Sequence, residues 1–197
     1  MSVSHFTKEK LQTLKAVALD VDGVLTDGGV WWGTNGEELK HFCFADVMGL
    51  SLARRAGLQI ALISGESSPI VDRYAKKLAI RHVVTGCRDK ASALQNFAVA
   101  TRIDISKICF MGDDINDLAA MQIAGLSCSP ADAATEVLSQ AQFVASKAGG
   151  AGAVRELINA ILLAQGASLQ EILTRKEPDV EHTSNPIHAT ASVESIL

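Results

Sequence analysis

The stretch Lys15 to Gly29, KAVALDVDGVLTDGG, constrains this chain more than any other. Its short apolar run, Ala16 to Leu19, stops at two aspartates one residue apart, Asp20 and Asp22, with Gly23 directly after. Small and β-branched residues bounded by charge and glycine predict a strand buried on both faces. The two carboxylates then stand at the carboxyl edge of a sheet, where open α/β folds bind their ligands. On extended backbone such a spacing projects both side chains to one side, so both acids can face one ligand. Two like charges held together are unfavourable unless a cation or a shared proton relieves them. A solvated Asp-rich turn after a strand is the competing explanation, and the rest of the chain decides between the two.

Residues 5–14 predict a short helix leading into that strand. After it, Val30 to Trp32 and Leu39 to Phe44 flank the turn former Gly33-Thr34-Asn35-Gly36, a β-hairpin pattern with two tryptophans on one arm. Exposed aromatic hairpins seldom stay bare in water, so this one is expected to pack against another subunit. Further strands are predicted at Gln59 to Ile63, His82 to Thr85, Ile108 to Met111, Leu126 to Cys128 and Phe143 to Ala145. Helices are predicted from Asp46 to Ala56, from Pro69 to about Ala79 with Ser68 as cap, over Ala91 to Ala100, up to Ala124, and from Val154 to Gln165. This alternation predicts an α/β fold, a Rossmann-like parallel sheet with helices on both faces and a hairpin after the first strand. Residues 1–166 read as a single domain, and 167–197 as a polar tail, mobile or docked on a neighbouring subunit.

A chain of 197 residues with a formal net charge of −4 carries no electrostatic footprint for nucleic acid or an anionic membrane, and neither partner is expected. The four cysteines, Cys43, Cys87, Cys109 and Cys128, are scattered without a C-x-x-C pair, which argues against zinc or a disulfide framework. The polar N-terminus lacks the apolar centre of a signal peptide, and no later run reaches membrane-spanning length. A cytoplasmic location is the expectation.

Four predicted strand ends carry polar groups: Asp20 and Asp22, then Ser64, then Lys90 shortly after the fourth strand end, then Asp113, Asp114 and Asp117 in GDDIND. In a parallel sheet these ends line one edge and converge. Singly, each has an ordinary explanation: a strand-to-loop turn at Ser64-Gly65, a solvated lysine at a helix start, acids favouring a helix N-terminus. Jointly they form the set a phosphate monoester asks for, since its transfer needs charge neutralisation, an in-line nucleophile and a proton for the leaving alkoxide. Asp20 can attack phosphorus to form an aspartyl phosphate, and Asp22 can protonate the leaving oxygen and later deprotonate water. Asp20 and Asp113 suit Mg²⁺, a hard ion content with few carboxylates. Ser64, Lys90 and the amides around Gly23 can hold phosphoryl oxygens.

DVDGVLTDG, LISG, RDK and GDDINDLAAM resemble the four motifs of the haloacid dehalogenase superfamily of phosphatases, over about residues 15–165. The resemblance implies the same roles for Asp20, Asp22, Ser64 and Lys90, and puts Asp20, Asp113 and the main-chain carbonyl of Asp22 on Mg²⁺. It further implies supporting roles for Asp114, which would orient its neighbours, for Asn116, and for Asp117 acting through a metal-bound water.

The intervals between the motifs leave no room for a separate cap domain, so selectivity and water exclusion must come from elsewhere, and another subunit is the obvious source. The capless layout, the hairpin, GGAGAVRE and ILLAQG resemble the sugar-acid phosphatases acting on 3-deoxy-D-manno-octulosonate 8-phosphate (KDO 8-phosphate), enzymes of lipopolysaccharide biosynthesis. That group is typically tetrameric, with packed hairpins and a C-terminal segment reaching a neighbouring site, which implies a homotetramer here. Two departures stand in the sequence. Glu66 replaces the arginine usual after the serine-glycine of LISG, and Ala45-Asp46-Val47 replaces Arg-Asp-Gly. Glu66 with Lys77 is similar to the pair of the branch acting on nine-carbon acids such as KDN 9-phosphate or N-acylneuraminate 9-phosphate. Ser64, Gly65, Glu66, Lys77, Lys90, Asp46 and Gly49 are thus the candidate substrate contacts, with KDO 8-phosphate as first choice of substrate. The rival readings are a phosphotransferase or mutase, and a non-catalytic module of the same fold kept for oligomerisation or regulation. The intact carboxylate set argues against the last.

Overall fold

The computed structural model describes residues 5–175 and 187–188. Helix α1 (His5–Thr13) leads into β1 (Ala16–Leu19), followed by the hairpin strands β2 (Trp31–Trp32) and β3 (Glu38–Leu39). Then come α2 (Phe44–Arg55), β4 (Gln59–Ile63), α3 (Pro69–Lys77), β5 (His82–Val84), α4 (Lys90–Thr101) and β6 (Ile108–Met111). The chain continues through α5 (Leu118–Ile123), β7 (Leu126–Ser129), α6 (Thr135–Gln140), β8 (Phe143–Val144), α7 (Ala153–Ala164), α8 (Leu169–Thr174) and β9 (Ile187–His188). The main sheet runs β8-β7-β6-β1-β4-β5-β9 with every pair parallel, and β2 and β3 form a separate antiparallel pair. This is the capless α/β architecture expected from the alternation of the sequence.

β1 is the centre of the sheet because its residues can be buried on both sides. Val17 and Leu19 enter one core with Leu50, Leu62, Met111, Leu157 and Ile161. Ala16 and Ala18 enter the other, where Phe97, Phe110 and Met121 fill the space that two small side chains leave. Helices α1, α2, α3 and α7 cover the first face, and α4, α5 and α6 the second. The switch of chain direction after β1 leaves its carboxyl end open between the ends of β4 and β6, which is where Asp20 stands.

Two expectations need correction. The hairpin is shorter than the sequence suggested, with Trp31 opposite Leu39 and Trp32 opposite Glu38. Beyond Leu39 its second arm keeps only an isolated antiparallel bridge from Phe42 to Thr26, Phe42 stacks on Tyr74 at 4.1 Å, and Phe44 already opens α2. The core also continues past Gly166. Ile172 of α8 is fully buried in the first core, and Arg55 donates to the carbonyls of Leu173 and Arg175. Leu169, Ile172 and Leu173 stand among polar residues just past a glycine, a pattern too short to announce this docking. Except for Ile187–His188, the tail from residue 176 onward lies outside the described residues.

Candidate active site

Four strand ends and the loops behind them build the site. The Asp20 N–H donates to the Met111 carbonyl (2.9 Å), the last bond of the central ladder, so its carboxylate emerges where the sheet stops. Ser64 is fixed likewise by its N–H on the Val84 carbonyl (2.8 Å). Lys90 is the first residue of α4, whose N-terminus is capped by Asp89 accepting from the Ser92 N–H (3.0 Å). Its ammonium, on a residue only 3% exposed, lies 2.8 Å from Asp20 Oδ1 and 2.6 Å from Asp117 Oδ1. Asp117 uses its other oxygen to accept the N–H groups of Asp113 (3.0 Å) and Asp114 (3.3 Å), which holds the GDDIND loop closed. Asp114 in turn accepts the Ile115 N–H (2.7 Å).

The loop after Asp20 is shaped by two close approaches. Gly23 has φ +85°, and a Cβ there would meet Asp113 Oδ2 at 2.0 Å, so this position must be glycine for Asp113 to reach the cluster. Gly149 lies directly on this turn, since a Cβ on it would meet the Gly23 carbonyl oxygen at 1.8 Å.

Asp20, Asp113 and Asp117 each bring a carboxylate oxygen within 4.8 Å of the others. Burial, then the Asp117 charge, push the Asp20 carboxyl up to about 6 despite Lys90. Burial, then Asp20 and Asp117, push Asp113 up to about 8. Burial pulls Lys90 down, but Asp20 and Asp117 outweigh it and hold its ammonium above the ordinary lysine range. One cation against three convergent carboxylates is too little charge, and the oxygen-only donor set is that of a hard divalent ion such as Mg²⁺. The residues therefore fit the ion expected from the sequence.

Asp22 turns its side chain elsewhere. Its Oδ1 accepts from Lys40 Nζ at 2.7 Å, and its buried Oδ2 makes no hydrogen bond. The sequence reading overlooked Lys40, although a single cation closing an arm of otherwise apolar and acidic residues was the available signal. Glu38 lies 3.7 Å from the same ammonium and accepts the Ser68 hydroxyl at 2.8 Å.

The predicted substrate contacts divide. Ser64 is buried beside the cluster, with its hydroxyl accepting the Glu66 N–H (3.1 Å), and a Cβ on Gly65 would sit 3.6 Å from the Asn116 amide nitrogen. Glu66 and Asn116 are exposed at the mouth. Lys77 is exposed with its ammonium 5.8 Å from the Phe44 ring centroid. Asp46 and Gly49, expected as substrate contacts, are engaged in the packing of α2 against α7. Asp46 is fully buried and accepts the N–H groups of Arg155 (2.8 Å) and Gly152 (3.2 Å), so its carboxylate is occupied in capping α7. Gly49 lets α2 approach α7, where a Cβ would meet Arg155 Cα at 3.0 Å.

Comparison with known proteins points to one family. A profile of haloacid dehalogenase-like hydrolases matches residues 80–157. The chain is 37% identical over 164 residues to the 3-deoxy-D-manno-octulosonate 8-phosphate phosphatase KdsC of Salmonella typhi, spanning 83% of this chain and 87% of the relative. The crystal structure of the phosphatase of that name from Moraxella catarrhalis, in complex with magnesium, phosphate and KDO, superimposes with a TM-score of 0.79 at 37% identity, covering 81% of this chain and 91% of that one. The Yersinia pestis enzyme of that name gives 0.83 at 30% identity, covering 90% and 94%.

Proposed function

The chain belongs to the KdsC-like branch of the haloacid dehalogenase superfamily and is a phosphatase of that type, and from this premise we propose that it hydrolyses the phosphate monoester of a 3-deoxy ulosonic acid, with KDO 8-phosphate first among substrates. The observation that carries the reading is the Lys90 ammonium buried between Asp20 and Asp117, with Asp113 completing the cluster. Asp20, Asp113 and the Asp22 carbonyl would hold Mg²⁺, which supplies positive charge to the phosphoryl oxygens when bound.

A carboxylate oxygen of Asp20 attacks phosphorus in line with the ester oxygen. The new oxygen–phosphorus bond forms as the ester bond breaks, and Asp22 gives its proton to the departing alkoxide. Lys90 and Ser64 neutralise and orient the phosphoryl group while charge builds on its oxygens. Asp22, now a carboxylate, takes a proton from the water that attacks the aspartyl phosphate. The Asp20–phosphorus bond breaks, inorganic phosphate leaves, and both aspartates return to their starting state. The relatives at 37% identity are phosphatases, which favours hydrolysis over transfer to a second sugar.

The apolar surface around the hairpin supports a homotetramer as part of the same reading: Trp31, Trp32, Leu39 and Phe44 are 64–80% exposed. Assembly through it would wall the open site. A cytoplasmic location accords with a small anionic substrate, and no helix among the described residues is long and apolar enough to cross a membrane. The test is phosphate release from KDO 8-phosphate, KDN 9-phosphate and N-acylneuraminate 9-phosphate with Mg²⁺, using Asp20→Asn as control. The eight-carbon ester is expected to give the highest kcat/KM and Asp20→Asn to abolish it. Preference for a nine-carbon ester moves the assignment to that branch, and no release from any of them overturns it.

A further inference from the structure

The hairpin does more than present apolar surface. After Leu39 its second arm turns inward and delivers Lys40 to the end of β1, with the side chain only 4% exposed. A lysine–carboxylate pair in open water contributes little to either partner. Here the ammonium is enclosed, with 29% of the Asp22 side chain and 33% of the Glu38 side chain left to solvent, and the pair is triangulated. The Ser68 N-cap of α3 donates to Glu38 (2.8 Å), Glu38 lies 3.7 Å from Lys40 Nζ, and that ammonium is 2.7 Å from Asp22 Oδ1. One oxygen of Asp22 is thereby fixed from the hairpin side. The other, Oδ2, is buried and makes no hydrogen bond.

We infer that Lys40 is a positioning residue for the reaction: it clamps Oδ1 of Asp22 and so fixes, where the hairpin meets the end of β1, the side chain that serves the leaving oxygen. The inference rests on the phosphatase reading above and adds the residue that aims its acid. A clamp of this kind acts on the step in which the ester bond breaks, and its weight depends on how much the leaving group needs a proton. Nitrophenolate departs without one; an alkoxide does not.

The experiment measures kcat/KM, which reports the steps through loss of the leaving group, for an alkyl phosphate monoester, phenyl phosphate and p-nitrophenyl phosphate. Enzymes are wild type, Lys40→Met and Lys40→Arg, with Mg²⁺ present. Lys40→Met is expected to lower kcat/KM on the alkyl ester by about 100-fold and on p-nitrophenyl phosphate by less than about threefold. Lys40→Arg should recover at least about tenfold on the alkyl ester, because a guanidinium can still clamp a carboxylate. Equal losses on all three esters, or a rise in KM alone, would mean that Lys40 binds phosphate or only supports the fold, and would overturn the inference. A thermal-unfolding cycle of Lys40→Met, Asp22→Asn and the double variant tests the pairing without turnover. The loss in the double variant should fall short of the sum of the two single losses, since one pairing can be lost only once, and additive losses would refute the clamp. If the wild type hydrolyses none of the esters, the phosphatase reading fails while this cycle still decides whether Lys40 holds Asp22.

Discussion

Replacing Lys90 by methionine tests the electrostatic core of the site. The ammonium lies 2.8 Å from one buried carboxylate and 2.6 Å from another. At an effective dielectric constant of about 20, each pair is worth about 6 kcal/mol of Coulomb attraction, offset by the cost of removing the lysine from water. Methionine fills the same volume and removes only the charge. It leaves Asp20 and Asp117 facing each other with Asp113 beside them. Breaking a buried pair in this way costs about 3–5 kcal/mol, and one carboxylate caps the loss by taking a proton. For a chain of this size that corresponds to a fall in Tm of about 6–20 °C. The assay is thermal and urea unfolding of wild type and Lys90→Met, each with EDTA and with excess Mg²⁺. The loss should be large in EDTA and smaller with Mg²⁺, because a divalent cation supplies charge that the lysine no longer does. Activity should stay low in both cases, since the phosphoryl group has lost its lysine. A variant as stable as wild type in EDTA would refute the reasoning, because the ammonium would then not be offsetting the charge of Asp20 and Asp117.

Three further outcomes follow from the same structure. The raised carboxyls of Asp113 (about 8) and Asp20 (about 6) make the metal-free protein bind protons more tightly folded than unfolded; their stabilising contribution is whole below the unfolded aspartate value near 4 and is lost as pH rises through about 6 and 8. Tm in EDTA should therefore fall from pH 5 to pH 9, with Mg²⁺ flattening the decline, and a profile independent of Mg²⁺ would contradict it. Asp46→Ala should lower stability by about 1–3 kcal/mol through the lost α7 cap, with KM unchanged at temperatures where it is folded; a raised KM with normal melting would return Asp46 to the substrate site. Trp31→Ser with Trp32→Ser should shift the assembly toward smaller species in light scattering while a monomer stays folded, because both side chains are exposed in the single chain.

What the sequence displayed, and what it concealed, divides along a physical line. Local pattern sufficed wherever one stretch decides its own fate: Gln59–Ile63 and Ile108–Met111 are strands to the residue because apolar runs between turn formers have no other stable use. Ser68 caps α3 as predicted, since a serine before proline at a helix start has one obvious task. The nearness of Asp20, Lys90 and Asp113 was legible because a parallel sheet brings its strand ends to one edge. Pairings between distant segments were not legible. Asp46 finds its donors at Gly152 and Arg155, and Ile172 finds its pocket between α2 and α7, through contacts that no window of sequence contains. The short arms of the hairpin belong to the same class, because Phe42 leaves the regular ladder, keeping one bridge to Thr26, and stacks on Tyr74, more than thirty residues away.

That last displacement gives the hairpin two faces with different tasks. Trp31, Trp32 and Leu39 point into solvent from its paired part, while the arm beyond Leu39 bends under and seats Lys40 against Asp22. A capless site needs something to exclude water and something to orient its acid, and a single short segment is placed to serve both. The two tasks are separable by mutation because they use different residues on either side of one bend. Variants at the tryptophans should change assembly while sparing the leaving-group dependence of the reaction in whatever fraction stays active. Variants at Lys40 should steepen that dependence without changing the size of the particle. If instead every hairpin substitution moved both quantities together, the bend would be transmitting assembly into the site, and the Lys40 clamp would be a consequence of oligomerisation rather than a property of the single chain.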